Sequence, residues 1–230
     1  MEVIKIQIIA YWALISEYLI IIGIQSCIVF ILFRKWFQST HRYFSDLPFI
    51  MAISFAFFIY DRIDSILGLT GIMPITAVSQ LINLIGFIII TCINLLIMLI
   101  IWLPERKTLR STFIITWFVL WFILIIVFMS TIGSPDTLHS VLFMMGLPII
   151  LLFTITWYFC YFQKRLSVIN PLLVGIGFTG YFIGIILRVF LSLMGTPIGY
   201  VFTDLHWIAA MIDIPSFIIM LLGFSKEMSY

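Results

Sequence analysis

The chain has 230 residues, of which 63% are hydrophobic and only 10% are charged, and its formal net charge is +2. A soluble domain keeps about a quarter of its residues charged, so this composition excludes a polar surface that could cover the chain in water. The mean hydropathy of +1.25 predicts a lipid environment, and the near-neutral charge argues against nucleic-acid binding.

Seven apolar runs follow one another along the chain, and each is long enough to cross a bilayer, which takes about 20 helical residues. They are Ile8–Phe33, Pro48–Leu69, Ala77–Leu103, Thr112–Ser130, Val141–Phe162, Pro171–Met194 and Phe202–Phe224. Short connections rich in Gly, Pro, Asn and Asp separate them, and none could hold a soluble domain. The sequence therefore predicts an all-α integral membrane protein whose 230 residues form a single polytopic domain.

The basic residues predict how these runs are oriented in the membrane. Outside the apolar runs, all but Lys5 fall in segments that share one side: Arg34, Lys35, Arg42, Arg106, Lys107, Arg110, Lys164, Arg165 and Lys226. Because cytoplasmic connections carry an excess of Lys and Arg, we expect the N-terminus outside and the C-terminus in the cytoplasm. The first run has no basic segment before it and is too long for a signal peptide, so we interpret it as a mature span of a multi-pass cell-membrane protein.

Runs two and three resemble runs six and seven. Pro48 and Pro171 open runs two and six, and each of these runs carries one arginine near its outer end, Arg62 and Arg188. A glycine and then a Pro-Ile-x-x-Val segment follow in both cases. Run four is apolar almost all round, as a linker helix would be. This pattern predicts a parallel repeat of three helices, a linker and three helices, written 3+1+3.

A 3+1+3 plan resembles that of the SWEET and PQ-loop transporters, and seven helices also resemble many seven-span sensors. The Pro-Gln signature of the PQ-loop family is missing here, so the resemblance covers architecture alone and implies no particular substrate. The segment Asp213-Ile214-Pro215-Ser216 resembles the last span of microbial rhodopsins. Run seven has no lysine to form a Schiff base, and a retinal protein of that kind is excluded.

Charged residues inside the runs mark the candidate site, because a charge at membrane depth costs several kcal/mol unless it is paired or wetted. The candidates for binding a substrate or ion are Glu17, Asp61, Arg62, Asp64, Arg188 and Asp213, with Asn83, Tyr181 and His206 in support. A rise of about 1.5 Å per residue places Glu17 and Asp213 near the midplane and the other four charges in the outer third.

The four acids outnumber the two arginines, so spare carboxylate remains if each arginine pairs with one acid. Burial favours the neutral form of an unpaired carboxyl group, which can then take up and release a proton. We expect an outward-facing polar cavity lined by runs one, two, six and seven, with Asp213 as its deepest titratable group. This predicts a carrier of a small solute or ion with carboxylate-based proton or cation coupling.

Two other classes of function stay open at this point. A seven-helix sensor or receptor would act through a partner protein, and an intramembrane enzyme would need a catalytic motif that the sequence lacks. We therefore expect no enzymatic activity, no catalytic residues and no metal or other cofactor. The expected partners are the lipid bilayer and a small solute or ion, with a homo-oligomer or a signalling protein as open alternatives and no nucleic acid.

Overall fold

The computed structural model describes residues 2–39, 43, 46–72, 77–131, 135–194, 197–198, 202–203 and 205–228, and side chains over 8–39, 43, 46–72, 85–123, 125–126, 146–191, 194 and 205–228. The described residues form seven α-helices. They are α1 (Glu2–Gln38), α2 (Leu47–Leu69), α3 (Ala77–Trp102), α4 (Lys107–Thr131), α5 (Pro135–Phe162), α6 (Pro171–Met194) and α7 (Ala210–Ser225). Between α6 and α7 lie the antiparallel pair β1 (Pro197–Ile198) and β2 (Phe202–Thr203) and a 3-10 turn (His206–Ala209).

Four helical stretches among the described residues are long and apolar enough to cross a membrane. They are Ile8–Gln38, Ile85–Trp102, Pro171–Leu191 and His206–Ser225. Helix α2 has the length but carries three charges near its end, and Gly146–Phe162 is a shorter apolar stretch. The fold is therefore all-helical and consistent with a membrane-embedded protein.

Several helix ends differ from the predicted runs, and α4 begins at Lys107 instead of Thr112. Helix α1 extends past the predicted ends to Glu2 and Gln38, because its flanking Glu, Lys, Arg and Gln residues are good helix formers. Helix α5 begins at Pro135 instead of Val141, since proline is well tolerated in the first turn of a helix. The run predicted from Phe202 begins in β2, and its helical part starts only at His206.

The chain forms two compact units, one from Met1–Pro74 with Trp157–Tyr230 and the other from Ile75–Thr156. In the first unit α1 packs against α2 and α7, and α6 packs against α7. The Phe55 ring of α2 lies 6.4 Å from the Phe178 ring of α6 and 5.6 Å from the Phe224 ring of α7. Helices α2, α6 and α7 therefore share one aromatic core.

One end of the first unit is held by hydrogen bonds between separate elements. Lys35 at the end of α1 donates to the carbonyl of Val168 before α6. The amide of Asn170 donates to the carbonyl of Gly223 in α7 at 2.8 Å. We call this the basic end, defined by Lys35, Lys164, Arg165 and Lys226.

The second unit contains α3, α4 and α5 as far as Thr156. Helices α3 and α4 pack together, with Trp121 fully buried against Ile88. The Trp102 indole donates to the Thr156 hydroxyl at 3.0 Å, which joins α3 to α5. This unit is held mainly by apolar packing.

Candidate functional site

Glycines on one face of α6 allow α6 and α7 to approach closely. A Cβ atom at Gly177 would lie 2.7 Å from the carbonyl oxygen of Ser216, and one at Gly180 would overlap the Ser216 hydroxyl. A Cβ atom at Gly184 would overlap Oδ1 of Asp213. Spacings of three and four residues place the three glycines on one helix face. The position of Asp213 against α6 therefore depends on the missing side chain at Gly184.

Arg188 joins two acids from different helices into one ion cluster. Its Nη2 donates to Oε1 of Glu17 in α1 at 2.7 Å and also forms an ion pair with Oδ2 of Asp213 in α7. The side chains of Glu17 and Asp213 are 1% and 0% exposed, and that of Arg188 is 13% exposed. We call these three residues the triad.

The triad leaves several of its polar atoms unsatisfied. Oε2 of Glu17, Oδ1 of Asp213 and Nε of Arg188 are buried without a hydrogen-bond partner. A buried polar group without a partner costs about 1–3 kcal/mol, and more when it is charged. A single guanidinium also faces two carboxylates, so the triad carries one negative charge in excess when both acids are ionised. A proton on one acid, or a cation beside it, would balance this charge.

A second arginine, Arg62, lies in the same unit as the triad. Arg62 of α2 is buried, and its guanidinium sits 4.6 Å from the centroid of the Tyr18 ring. It lies within electrostatic reach of both Glu17 and Asp213. Tyr181 of α6 is buried as well and lies within reach of Arg62 and Asp213. The stacked arginine therefore adds positive potential to the triad.

The remaining predicted site residues occupy different surroundings. Asp61 is exposed and within electrostatic reach of Arg62, and Asp64 is half-buried. His206 is buried as the first residue of the 3-10 turn. Asn83 lies in α3, and its side chain is outside the described residues.

The exposure of Asp213 differs from the predicted open cavity, while the depth of the triad in a membrane stays a prediction. Asp213, expected as the deepest group of an open cavity, is fully buried because α6 packs directly over it at Gly184. Arg188, expected nearer the outer surface than the two acids, contacts both of them. The rise along α1, α6 and α7 places the triad about 18–27 Å from the basic end.

Tyr18 is the site residue that the sequence analysis missed. It follows Glu17 directly, yet only the structure shows its ring beneath Arg62 of another helix. A pairing between aromatic and arginine side chains on separate helices leaves no spacing pattern in the sequence. The burial of Tyr18 and the exposure of Leu19 beside it reflect a helix rotation that hydropathy alone does not reveal.

These features are consistent with one class of protein, a helical membrane protein, and one of the two units holds a buried ion triad. Within the described residues, no group of three His, Cys, Asp or Glu side chains could hold a metal ion. No protein-family model, curated protein or solved structure matches the chain. The chemistry of the triad is therefore the basis on which function can be argued.

Proposed function

We propose that the chain is a carrier of a small solute or ion, coupled through the carboxylates of the triad to a proton or a cation. The observation that carries this proposal is the sharing of the Arg188 guanidinium between two buried carboxylates on different helices. Ionisable groups inside membrane spans are costly and are usually retained for transport or sensing. The unpaired oxygens of Glu17 and Asp213 support a site that takes up a further positive charge.

The coupling follows from the charge of the triad. A proton on Asp213 neutralises this carboxylate and removes its ion pair with Arg188. Arg188 then pairs with Glu17 alone. Loss of that proton restores the competition for the guanidinium, and arrival of a cation beside the acids relieves it again. Because the three residues lie on α1, α6 and α7, each change in pairing alters a contact between helices, and a carrier needs such a link between ligand and conformation.

Arg62 does not remove the need for this positive charge. It lies within electrostatic reach of Asp61 as well as of the triad. Glu17, Asp61 and Asp213 together outnumber Arg62 and Arg188 by one charge. The wider cluster therefore carries the same deficit as the triad alone when all its acids are ionised.

We also propose that all seven helices span the cell membrane in a 3+1+3 parallel repeat, with the N-terminus outside and the C-terminus in the cytoplasm. The basic end supports this orientation, because positive residues from three parts of the chain meet there. The repeat rests on the sequence pattern. We propose no enzymatic role, and the bilayer and a small solute or ion as the partners.

Purified protein in liposomes that contain a pH-sensitive dye tests the carrier proposal. Gradients of sodium chloride, potassium chloride and 4-phenylbutylammonium chloride are applied in turn, and the internal pH is recorded after subtraction of the change in protein-free liposomes, which the free amine enters by itself. We expect at least one cation to move protons through the wild-type protein and Asp213→Asn to abolish this movement. Glu105→Gln, which changes an exposed acid in the other unit, is the matched control. A silent wild-type protein, or an Asp213→Asn variant as active as wild type, contradicts the proposal.

A further inference from the structure

A groove runs along the surface of the first unit between α1 and the start of α7. Its volume is about 380 Å³, within the range of about 300–1,000 Å³ typical of small-molecule sites. One wall is the α1 stripe of Ala13, Ser16, Glu17 and Ile20, and the other comes from residues within 207–215. Positions separated by three and four residues form a continuous helix face, so the α1 wall is unbroken.

The groove has an apolar lining and one acid. Glu17 lines it, and apart from Ser16 every other lining residue is apolar or a tryptophan. Oε1 of Glu17 is held by Arg188, while Oε2 has no hydrogen-bond partner. The carboxylate therefore lies just beneath the groove surface, with its side chain 1% exposed and one oxygen that accepts no hydrogen bond from the protein.

The flanks of the groove are apolar surface. Ile20 is 49% exposed, Trp207 39% and Met211 71%. These residues belong to two of the stretches that are long and apolar enough to cross a membrane. Exposed apolar residues on such helices face hydrocarbon, so the groove opens toward lipid, where an apolar molecule concentrates.

We propose that this groove binds an amphiphilic ammonium cation, a molecule with an apolar body and one protonated amine, which approaches Glu17 from the lipid. The apolar walls match the body of such a molecule, and the excess carboxylate of the triad matches its charge. This inference names the class of solute that the carrier would transport, and in that respect it rests on the proposed carrier function. An amine hydrogen-bonded to Glu17 would compete with Arg188 for the same carboxylate, which is the event that the coupling requires.

Binding of a matched pair of probes separates charge recognition from simple partition into an apolar groove. The protonated amine 4-phenylbutylamine and the neutral alcohol 4-phenylbutan-1-ol have the same body and differ in charge. Their affinities are measured by calorimetry on the full chain in phosphatidylcholine nanodiscs, with empty nanodiscs as the blank. We expect the amine to bind about tenfold or more tightly than the alcohol, as a hydrogen bond to a charged group implies. Equal affinities overturn the inference and leave a groove that merely holds apolar chains.

Two variants locate the site. Glu17→Gln should reduce the affinity for the amine to that for the alcohol. Ala210→Leu fills the groove and leaves all three triad residues unchanged in sequence, so it should abolish binding of both probes even if Glu17→Gln proves unstable. Ala56→Leu, at an exposed alanine on α2, is the matched control and should bind the amine like wild type. Unchanged amine affinity in Ala210→Leu overturns the inference.

The two proposals fail in different ways. Proton movement driven by sodium or potassium, with no binding of the amine, leaves the carrier proposal standing and refutes the amine site. Selective binding of the amine that Ala210→Leu removes, with no proton movement under any gradient, supports the site and refutes the carrier.

Discussion

Substitution of Gly177 by alanine should separate α6 from α7. The added Cβ would lie 2.7 Å from the carbonyl oxygen of Ser216 and 3.0 Å from the amide nitrogen of Met220, several tenths of an ångström inside ordinary contact. Both atoms belong to the backbone of α7, so a change of side-chain rotamer cannot relieve the overlap. The helices must move apart instead, and their neighbouring contacts weaken.

The steric cost of Gly177→Ala can be measured by comparison with the same substitution at a second glycine. Gly23 of α1 has no atom within 4 Å of an added Cβ, so Gly23→Ala brings only the helix-propensity gain of about 0.5–1 kcal/mol. Gly177→Ala brings the same gain together with overpacking, which typically costs about 1–3 kcal/mol. The difference between the two variants therefore measures the steric cost alone, and we expect Gly177→Ala to be less stable than Gly23→Ala by about 1–3 kcal/mol.

Unfolding in mixed micelles of a mild detergent and dodecyl sulfate, followed by far-ultraviolet circular dichroism, gives both free energies of unfolding. Gly23→Ala should unfold at a higher fraction of dodecyl sulfate than wild type, and Gly177→Ala at a lower one. Equal shifts in the two variants would show that α6 and α7 do not approach as closely as described.

Two further predictions concern the triad and a helix end. Arg188→Leu should lower the free energy of unfolding by about 3–5 kcal/mol, because two buried acids lose their shared partner. Replacing Glu17 and Asp213 by leucine as well should restore most of that loss, and a triple variant as unstable as the single one would contradict the described contacts. Asn170→Ala should cost about 0.5–2 kcal/mol, because Oδ1 of Asn170 accepts a hydrogen bond from the Leu173 amide at 3.2 Å. Asn170→Asp keeps an acceptor and should recover most of this stability in the same unfolding assay.

The sequence predicts the positions of the helices better than their ends. The starts of α2 and α6 follow from Pro48 and Pro171. Proline fits the first turn of a helix but not its interior, so a helix that contains it begins close to it. The start of α5 at Pro135 obeys the same rule, yet the surrounding Gly-Ser-Pro-Asp segment also has the composition of a turn. Hydropathy cannot distinguish a loop between helices from a polar first turn of a helix. It also cannot distinguish a loop from short strands, so it did not predict the β1–β2 pair.

The members of the triad could be named from the sequence, but their partnership could not. A charge inside an apolar run is visible at Glu17, Arg188 and Asp213 without a structure. The choice of partner depends on how each helix is rotated about its axis and which helices are neighbours. One arginine per acid was the simplest expectation, whereas Arg188 contacts both acids and Arg62 stacks on Tyr18.

The bonds at the basic end make that end a pivot. Main-chain groups link the beginning of α6 to α7 there, and Lys35 ties α1 to the same place. The triad joins the same three helices about 18–27 Å away through side-chain charges alone. A tilt of a few degrees about the fixed end displaces the helices by roughly an ångström or more at that distance, which is enough to break a hydrogen bond. Gain or loss of a single charge in the triad is therefore coupled to a small tilt of whole helices about the basic end.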